Sequence, residues 1–227
     1  MKTPKPRARR QAKQTKARRP GRPSGDGSDQ REHLLDAALE HYANHGVAAA
    51  SLRGIAEAAG VTPAMVSYYF GGKAALLDAV IEERLLPVVG EIRSHLEAQG
   101  DDAGALVSGF VSGMHATIAH HPWLPRLWVR EVLSEGGTLR ELLVNRIAEQ
   151  VPRRLAESFS RAQQAGGLNT DLDPRLLVVS LIGLTLFPLA AAPLWRQVFD
   201  SEDLDSTALE RHTLALLARG LEADHAP

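Results

Sequence analysis

The stretch that decides the fold is residues 51–70, SLRGIAEAAGVTPAMVSYYF. Ser51 carries a hydroxyl that caps a short helix from Leu52 to Ala59, since Ser in that place accepts a hydrogen bond from an otherwise unpaired amide of the first turn. Gly60 ends that helix. Two residues on, Thr62 caps another whose first position is Pro63, where a missing N–H costs nothing. The helices are thus separated by a four-residue turn centred on Gly60. They cross at a steep angle only if the residue at the crossing is small, and Ala56 is that residue, with Val66 as the apolar anchor of the second helix. Spacing alone leaves two readings open. One is an ordinary helical hairpin. The other is a helix-turn-helix that presents the start of its second helix to a DNA major groove, where base edges display a distinguishable donor and acceptor pattern. In the second reading Thr62, Pro63, Ala64, Ser67 and Tyr68 lie at or near the contact surface.

Working outward, Asp29 and Glu32 form a capping-box pattern, and Leu35, Leu39 and Tyr42, with Ala38 beside them, recur at helical spacing up to His45-Gly46. After Gly71-Gly72 the positions Leu76, Leu77, Val80, Ile81 and Leu85 predict a longer fourth helix towards Leu96. Further helical stretches are predicted at about 103–120, 123–135, 138–165, 174–195 and 205–222. His121-Pro122, Gly136-Gly137, Gly166-Gly167 and residues 171–174 separate them. Only 5% of the 227 residues are aromatic, and period-two β-branched runs are scarce, which disfavours sheets. The expected class is all-α: an N-terminal helix-turn-helix domain of three helices followed by a C-terminal helical bundle, about nine helices in all. With no cysteine, disulfide frameworks, thiolate metal sites and cysteine nucleophiles are excluded, and a reducing, cytoplasmic setting is expected.

The net charge of -1 hides an asymmetry. Residues 1–25 hold ten of the 26 basic side chains and no acidic one, so the tail carries +10 and the body -11. Such an arm seeks a polyanion, either nucleic acid or anionic lipid. No apolar run follows it, so it does not have the form of a signal peptide. Residues 176–195, LLVVSLIGLTLFPLAAAPLW, are free of charge over the length of a membrane span. Pro188 and Pro193 and the lack of flanking basic clusters favour burial in a core or an oligomer interface instead. A membrane anchor is the alternative reading.

The segment 51–70, with Lys73 and Leu76-Leu77 after it, resembles the TetR family of transcriptional regulators. The resemblance rests on Ser51, Ala56, Gly60, Val61, Thr62, Tyr68-Tyr69-Phe70, Lys73 and Leu76-Leu77, and covers residues 31–81. It implies phosphate contacts by Ser51, Arg53 and Thr62, which set register on the duplex. Groove-facing positions fall on Pro63, Ala64, Ser67 and Tyr68, and a backbone grip on Tyr69 and Lys73. Pro63 and Ala64 donate no hydrogen bonds, so base reading rests on thymine methyl contacts, Ser67 and Tyr68. In the arm, Gly21-Arg22-Pro23 resembles the core of an AT-hook, with Arg22 directed to a narrow A·T minor groove or to phosphates.

The same resemblance implies a ligand cavity and a dimer interface in the second half. The expected organisation is a basic arm (1–28), a DNA-binding domain (29–75) and an effector-binding and dimerisation domain (76–227). Expected cavity residues are Phe110, Met114, Trp123, Leu127, Trp128 and Phe187, with His115, Arg130 and Glu131 as polar anchors; the alternative reading makes each aromatic plain core, and Arg130 with Glu131 surface charge. Expected dimerisation residues are Leu177, Leu181 and Leu184 in the uncharged stretch, and Leu214, Leu217 and Leu221 in the last helix. The expected partners are double-stranded DNA, a second copy of the chain and a small apolar or amphipathic effector, with no membrane. The expected function is that of a repressor released from a palindromic operator by that effector. No cofactor, metal or catalysis is expected. His41 and His45 have the spacing of helical zinc ligands but lack the glutamate of an H-E-x-x-H site, and no nucleophile and base stand at recognisable spacing for a helical enzyme.

Overall fold

Three short helices, α1 (Gly27–His45), α2 (Leu52–Ala58) and α3 (Pro63–Phe70), enclose Leu34, Leu35, Ala38, Tyr42, Ile55, Ala56 and Val66, all buried in the computed structural model of the chain. The structure describes residues 27–97, 102–218 and 220–221. Helix α2 starts where the Ser51 hydroxyl accepts from the Gly54 amide at 3.1 Å. Helix α3 starts where Thr62 Oγ1 accepts from the Met65 amide at 3.4 Å, with Pro63 in its first turn. Gly60 takes φ +65°, a left-handed conformation that side chains disfavour, and so turns the chain between them. Helix α1 departs from expectation: it is already helical at Gly27, so Asp29 sits inside its first turn. The predicted capping-box partner Glu32 reaches instead to Arg84, at 2.6 Å.

Helix α4 (Lys73–Val80), a π-helical turn (Ile81–Leu85) and α5 (Leu86–Glu97) follow one another with helical backbone angles at both junctions. One rod thus runs from the DNA-binding half into the second half. Arg31 holds Glu83 through two hydrogen bonds and Arg84 holds Asp36 and Glu32, pinning the rod to α1. These pairs keep the Glu83 carboxyl below its usual range through the Arg31 hydrogen bond.

A second core, with Val107, Phe110, Val111, Met114, Leu155, Phe159, Leu177 and Leu181, lies between α6 (Ala103–His120), α9 (Pro152–Gln164) and α10 (Pro174–Ala190). Helix α7 (Leu124–Trp128) runs into a π-turn (Val129–Leu133), and the short α8 (Arg140–Leu142) into another (Leu143–Ile147). The predicted single helix over 138–165 is therefore interrupted before Pro152. The predicted 174–195 helix is split as well: Pro188 lies inside α10, the chain bends by 69° into α11 (Ala192–Phe199), and the Trp195 indole donates to the Pro188 carbonyl at 2.7 Å. Helix α12 (Ser206–Ala218) closes the bundle against α6 and α10. Segments outnumber the nine or so helices expected because prolines and π-turns divide them. Among the described residues no single helix is long and apolar enough to cross a membrane.

Candidate DNA-reading surface and effector cavity

Burial of Val66 and Phe70 against α1 and α2 fixes which way α3 turns, and the opposite face carries Thr62, Pro63, Ala64, Ser67 and Tyr68, all exposed. Tyr68 is 83% exposed and meets Tyr69 edge-on, with ring centroids 5.2 Å apart. Tyr69 itself is half-buried against the core. An aromatic ring held in water by a rigid neighbour is a contact surface waiting for a partner. Ser51 and Arg53 are exposed beside it. Lys73 turns its ammonium onto the Ala48 carbonyl at 3.0 Å. Arg22 and the rest of the arm up to residue 26 lie outside the described residues.

The loop before α2 is held from the other side by a carboxylate that spacing did not assign there. Glu131, 4% exposed, accepts from the Val47 amide through Oε1 and from the Thr138 amide through Oε2, both at 2.9 Å. A buried charge persists where such bonds replace water. Gly137 makes room for this arrangement, since a Cβ there would stand 2.3 Å from the Glu131 carbonyl oxygen. The expectation of Glu131 as a polar anchor of the cavity is corrected: it ties the second half to the loop that positions α2. A signal for this was present, because Trp123, Leu127 and Glu131 stand four apart on one buried stripe. A carboxylate continuing an apolar stripe needs a hidden donor.

On the far side of that turn lies a cavity of about 120 Å³, walled by α5, α6, α7 and α10 and by all three π-turns through Leu85, Val132, Leu143 and Ile147. A π-turn widens the helix by one residue and recurs at functional sites. Phe110, Met114, Trp123, Leu127 and Trp128 line the cavity. Three expected residues do not. His115 is buried on α6 with neither ring nitrogen hydrogen-bonded among the described residues, and Glu210 of α12 acts on it electrostatically. Arg130 is exposed over Ala43 and Asn44, and Phe187 points outward, 68% exposed, one residue beyond the lining Leu186. No lining side chain is charged, and the polar groups among them are the indole N–H donors of Trp123 and Trp128.

Two of the α10 residues expected to meet a second copy, Leu177 and Leu181, are corrected too. Leu177 and Leu181 are sealed in the protomer's own core, Leu184 is half-buried, and Leu214, Leu217 and Leu221 pack partly buried against that core. The outward apolar residues are Leu176, Val179 and Phe187 of α10, Leu194, Val198 and Phe199 of α11, and Leu216 of α12. A helix apolar all round gives no periodicity from which to tell its inner face; packing on α6 and α9 chooses it. Among the described residues no group of three or more metal-ligating side chains gathers, and the His41 and His45 rings stack on each other, 4.3 Å apart.

Comparison with known proteins agrees with this architecture. Residues 34–80 match the model of bacterial regulatory proteins of the tetR family, and residues 83–218 match the tetracyclin repressor-like C-terminal domain. The HTH-type transcriptional regulator SrpR of Pseudomonas putida is 37% identical over 150 residues, 66% of this chain and 68% of that protein. UidR of Escherichia coli K12, also an HTH-type transcriptional regulator, is 23% identical over 154 residues, 65% of this chain and 76% of its own. Two solved structures share the fold. The ketosteroid transcriptional regulator KstR2 of Mycobacterium tuberculosis has a TM-score of 0.68 at 18% identity, over 85% of this chain and 95% of its own. The transcriptional regulator FadR of Bacillus subtilis, solved in complex with stearoyl-CoA, has a TM-score of 0.61 at 22% identity, over 83% and 98%. With both halves matched in order and the helix-turn-helix face exposed on α3, the chain belongs to the TetR family of DNA-binding transcriptional regulators.

Proposed function

We propose that the protein is a ligand-responsive repressor that binds a palindromic operator as a homodimer and lets go when a small apolar or amphipathic molecule enters the cavity. The observation that carries this reading is that Glu131 and Val132 are consecutive: Glu131 grips the loop before α2, and Val132 forms part of the cavity wall. A ligand that shifts the π-turn Val129–Leu133 moves the Val47 bond with it, and α2 and α3 follow. Operator affinity then falls by the ligand's differential affinity for the two states. The apolar face of α10, α11 and α12 supplies the contact with a second copy, which sets two α3 helices about one helical turn of DNA apart. Residues 29–75 serve as the DNA-binding domain and 76–227 as the effector and dimerisation domain. The arm, with Arg22, adds phosphate or minor-groove contacts. That FadR was solved with stearoyl-CoA, whose acyl chain is apolar, supports an effector carrying an apolar chain for a cavity of this lining.

Selection of duplexes from a random pool by the full chain, at two salt concentrations, tests the proposal. A palindrome recovered by the intact chain and lost in Tyr68→Ala is the expected result. Salt-sensitive binding without sequence preference, unchanged in Tyr68→Ala, would reduce the DNA contact to the arm and overturn the reading.

A further inference from the structure

The apolar cavity adjoins a second space along the groove that holds it. Its wall follows α5 through Val88, Val89 and Ile92, and crosses α6 at Phe110. One turn further along the same helices, Arg93, Leu96 and Glu97 of α5, Leu106 of α6 and the first turns of α9 line a polar cleft of about 430 Å³. Val151, buried, belongs to both walls and stands between the two spaces. The cleft is lined by the guanidinium groups of Arg93, Arg154 and Arg161 and by the carboxylates of Glu97 and Glu157, and Arg161 already donates to the Ser158 hydroxyl at 2.9 Å. The Nε of Arg93 is buried and makes no hydrogen bond among the described residues; Glu97 lies 3.6 Å from it, close enough for attraction but too far for a hydrogen bond. A buried donor left in that state is stabilised by any acceptor that reaches it.

We infer that the effector is an amphipathic anion, its apolar body in the inner cavity and its carboxylate or phosphate past Val151 at Arg93 and Arg154. This rests on the reading of the inner cavity as the effector site. Size sets the body. Free volume of this kind holds one water-sized group per roughly 10–15 Å³, so the inner cavity takes about ten, the bulk of a chain of eight to twelve carbons. Apart from the indole N–H groups of Trp123 and Trp128 the wall carries no polar side chain and no cation, so an anionic head group is disfavoured inside it. In the cleft next door Arg93 and Arg154 offer the planar donor forks that match carboxylate and phosphate oxygens.

The experiment titrates the full chain at pH 8 with decanoate, decyl phosphate and 1-decanol, following tryptophan emission, since Trp123 and Trp128 line the cavity. The expected result is that at least one anion binds ten-fold or more tighter than 1-decanol. In Arg93→Gln/Arg154→Gln that advantage disappears while 1-decanol binds as before, which also shows the variant to be folded. Arg153→Gln, on the same helix but paired with Glu149 outside the cleft, keeps the advantage. Whether decanoate or decyl phosphate gains more identifies the head group. Equal binding of alcohol and anions by the intact chain overturns the anion subsite and leaves the cavity reading standing, as does an advantage that survives in the double variant. Silence of all three probes overturns the cavity reading and the subsite together.

Discussion

At the α3 end of the molecule, a filled core of Leu34, Ile55, Ala56 and Val66 drives a polar strip outward. At the other end, between α5, α7 and α10, apolar side chains face one another around unfilled space. The first arrangement holds groups rigidly where a large partner docks, with nothing to rearrange. The second gives up packing, and the contacts across that space that a filled interior would make, and leaves the room in which the proposed effector is placed. Where a chain leaves apolar space open in its interior, the walls are the elements free to move, and here one wall carries Glu131. The two ends therefore differ in packing but share one turn, Val129–Leu133.

The largest effects separate the two faces of α10. Leu181→Ala, at a fully buried site, is expected to cost about 2–5 kcal/mol of stability in urea denaturation. Phe187→Ala, six residues on, is expected to leave monomer stability within about 0.5 kcal/mol. It should weaken self-association instead, measured by sedimentation equilibrium. The reverse pattern would return the dimer contact to the inner face.

Glu131→Gln sharpens the comparison at the shared turn. The amide keeps one acceptor and sets a donor against either the Val47 or the Thr138 amide, so a loss of about 1–3 kcal/mol is expected, read as a lowered denaturation midpoint. A cap at the DNA-reading end is worth less: Ser51→Ala is expected to cost about 1 kcal/mol, because one first-turn donor then turns to water. The smallest effect is that of pH. Burial holds the His115 imidazole below its ordinary value near 6.5, with Glu210 pulling weakly the other way, and burial lowers His41 likewise. Below about pH 6.5 the unfolded chain then binds protons that the folded chain refuses. Stability is therefore full above that pH and is lost as pH falls. Denaturation midpoints at pH 7.5 and 5.5 should show this fall, and His115→Gln should make it shallower.

What could be read from the sequence follows the range of the interactions. Ser51, Thr62, Pro63 and Gly60 act within three or four residues of themselves, so the helix-turn-helix and its exposed strip were legible. Apolar cavity positions such as Trp123 and Leu127 were legible as members of one stripe, though a stripe does not say whether it borders a filled core or a void. Positions decided by helix rotation were not. Phe187 and Leu181 belong to a helix apolar on every side, and His115 and Arg130 sit beside lining residues yet point elsewhere. Glu131 meets Val47 across 84 residues of chain, a contact that only the packed bundle creates.

Hydrogen exchange of the full chain, with and without the duplex recovered by selection, tests most directly whether the two ends work as one device. If Glu131 couples them, operator binding slows exchange at the Val47 and Thr138 amides along with those of α3, since both donate to that carboxylate. Protection confined to α3 and its cap, with Val47 and Thr138 unchanged, would contradict the account.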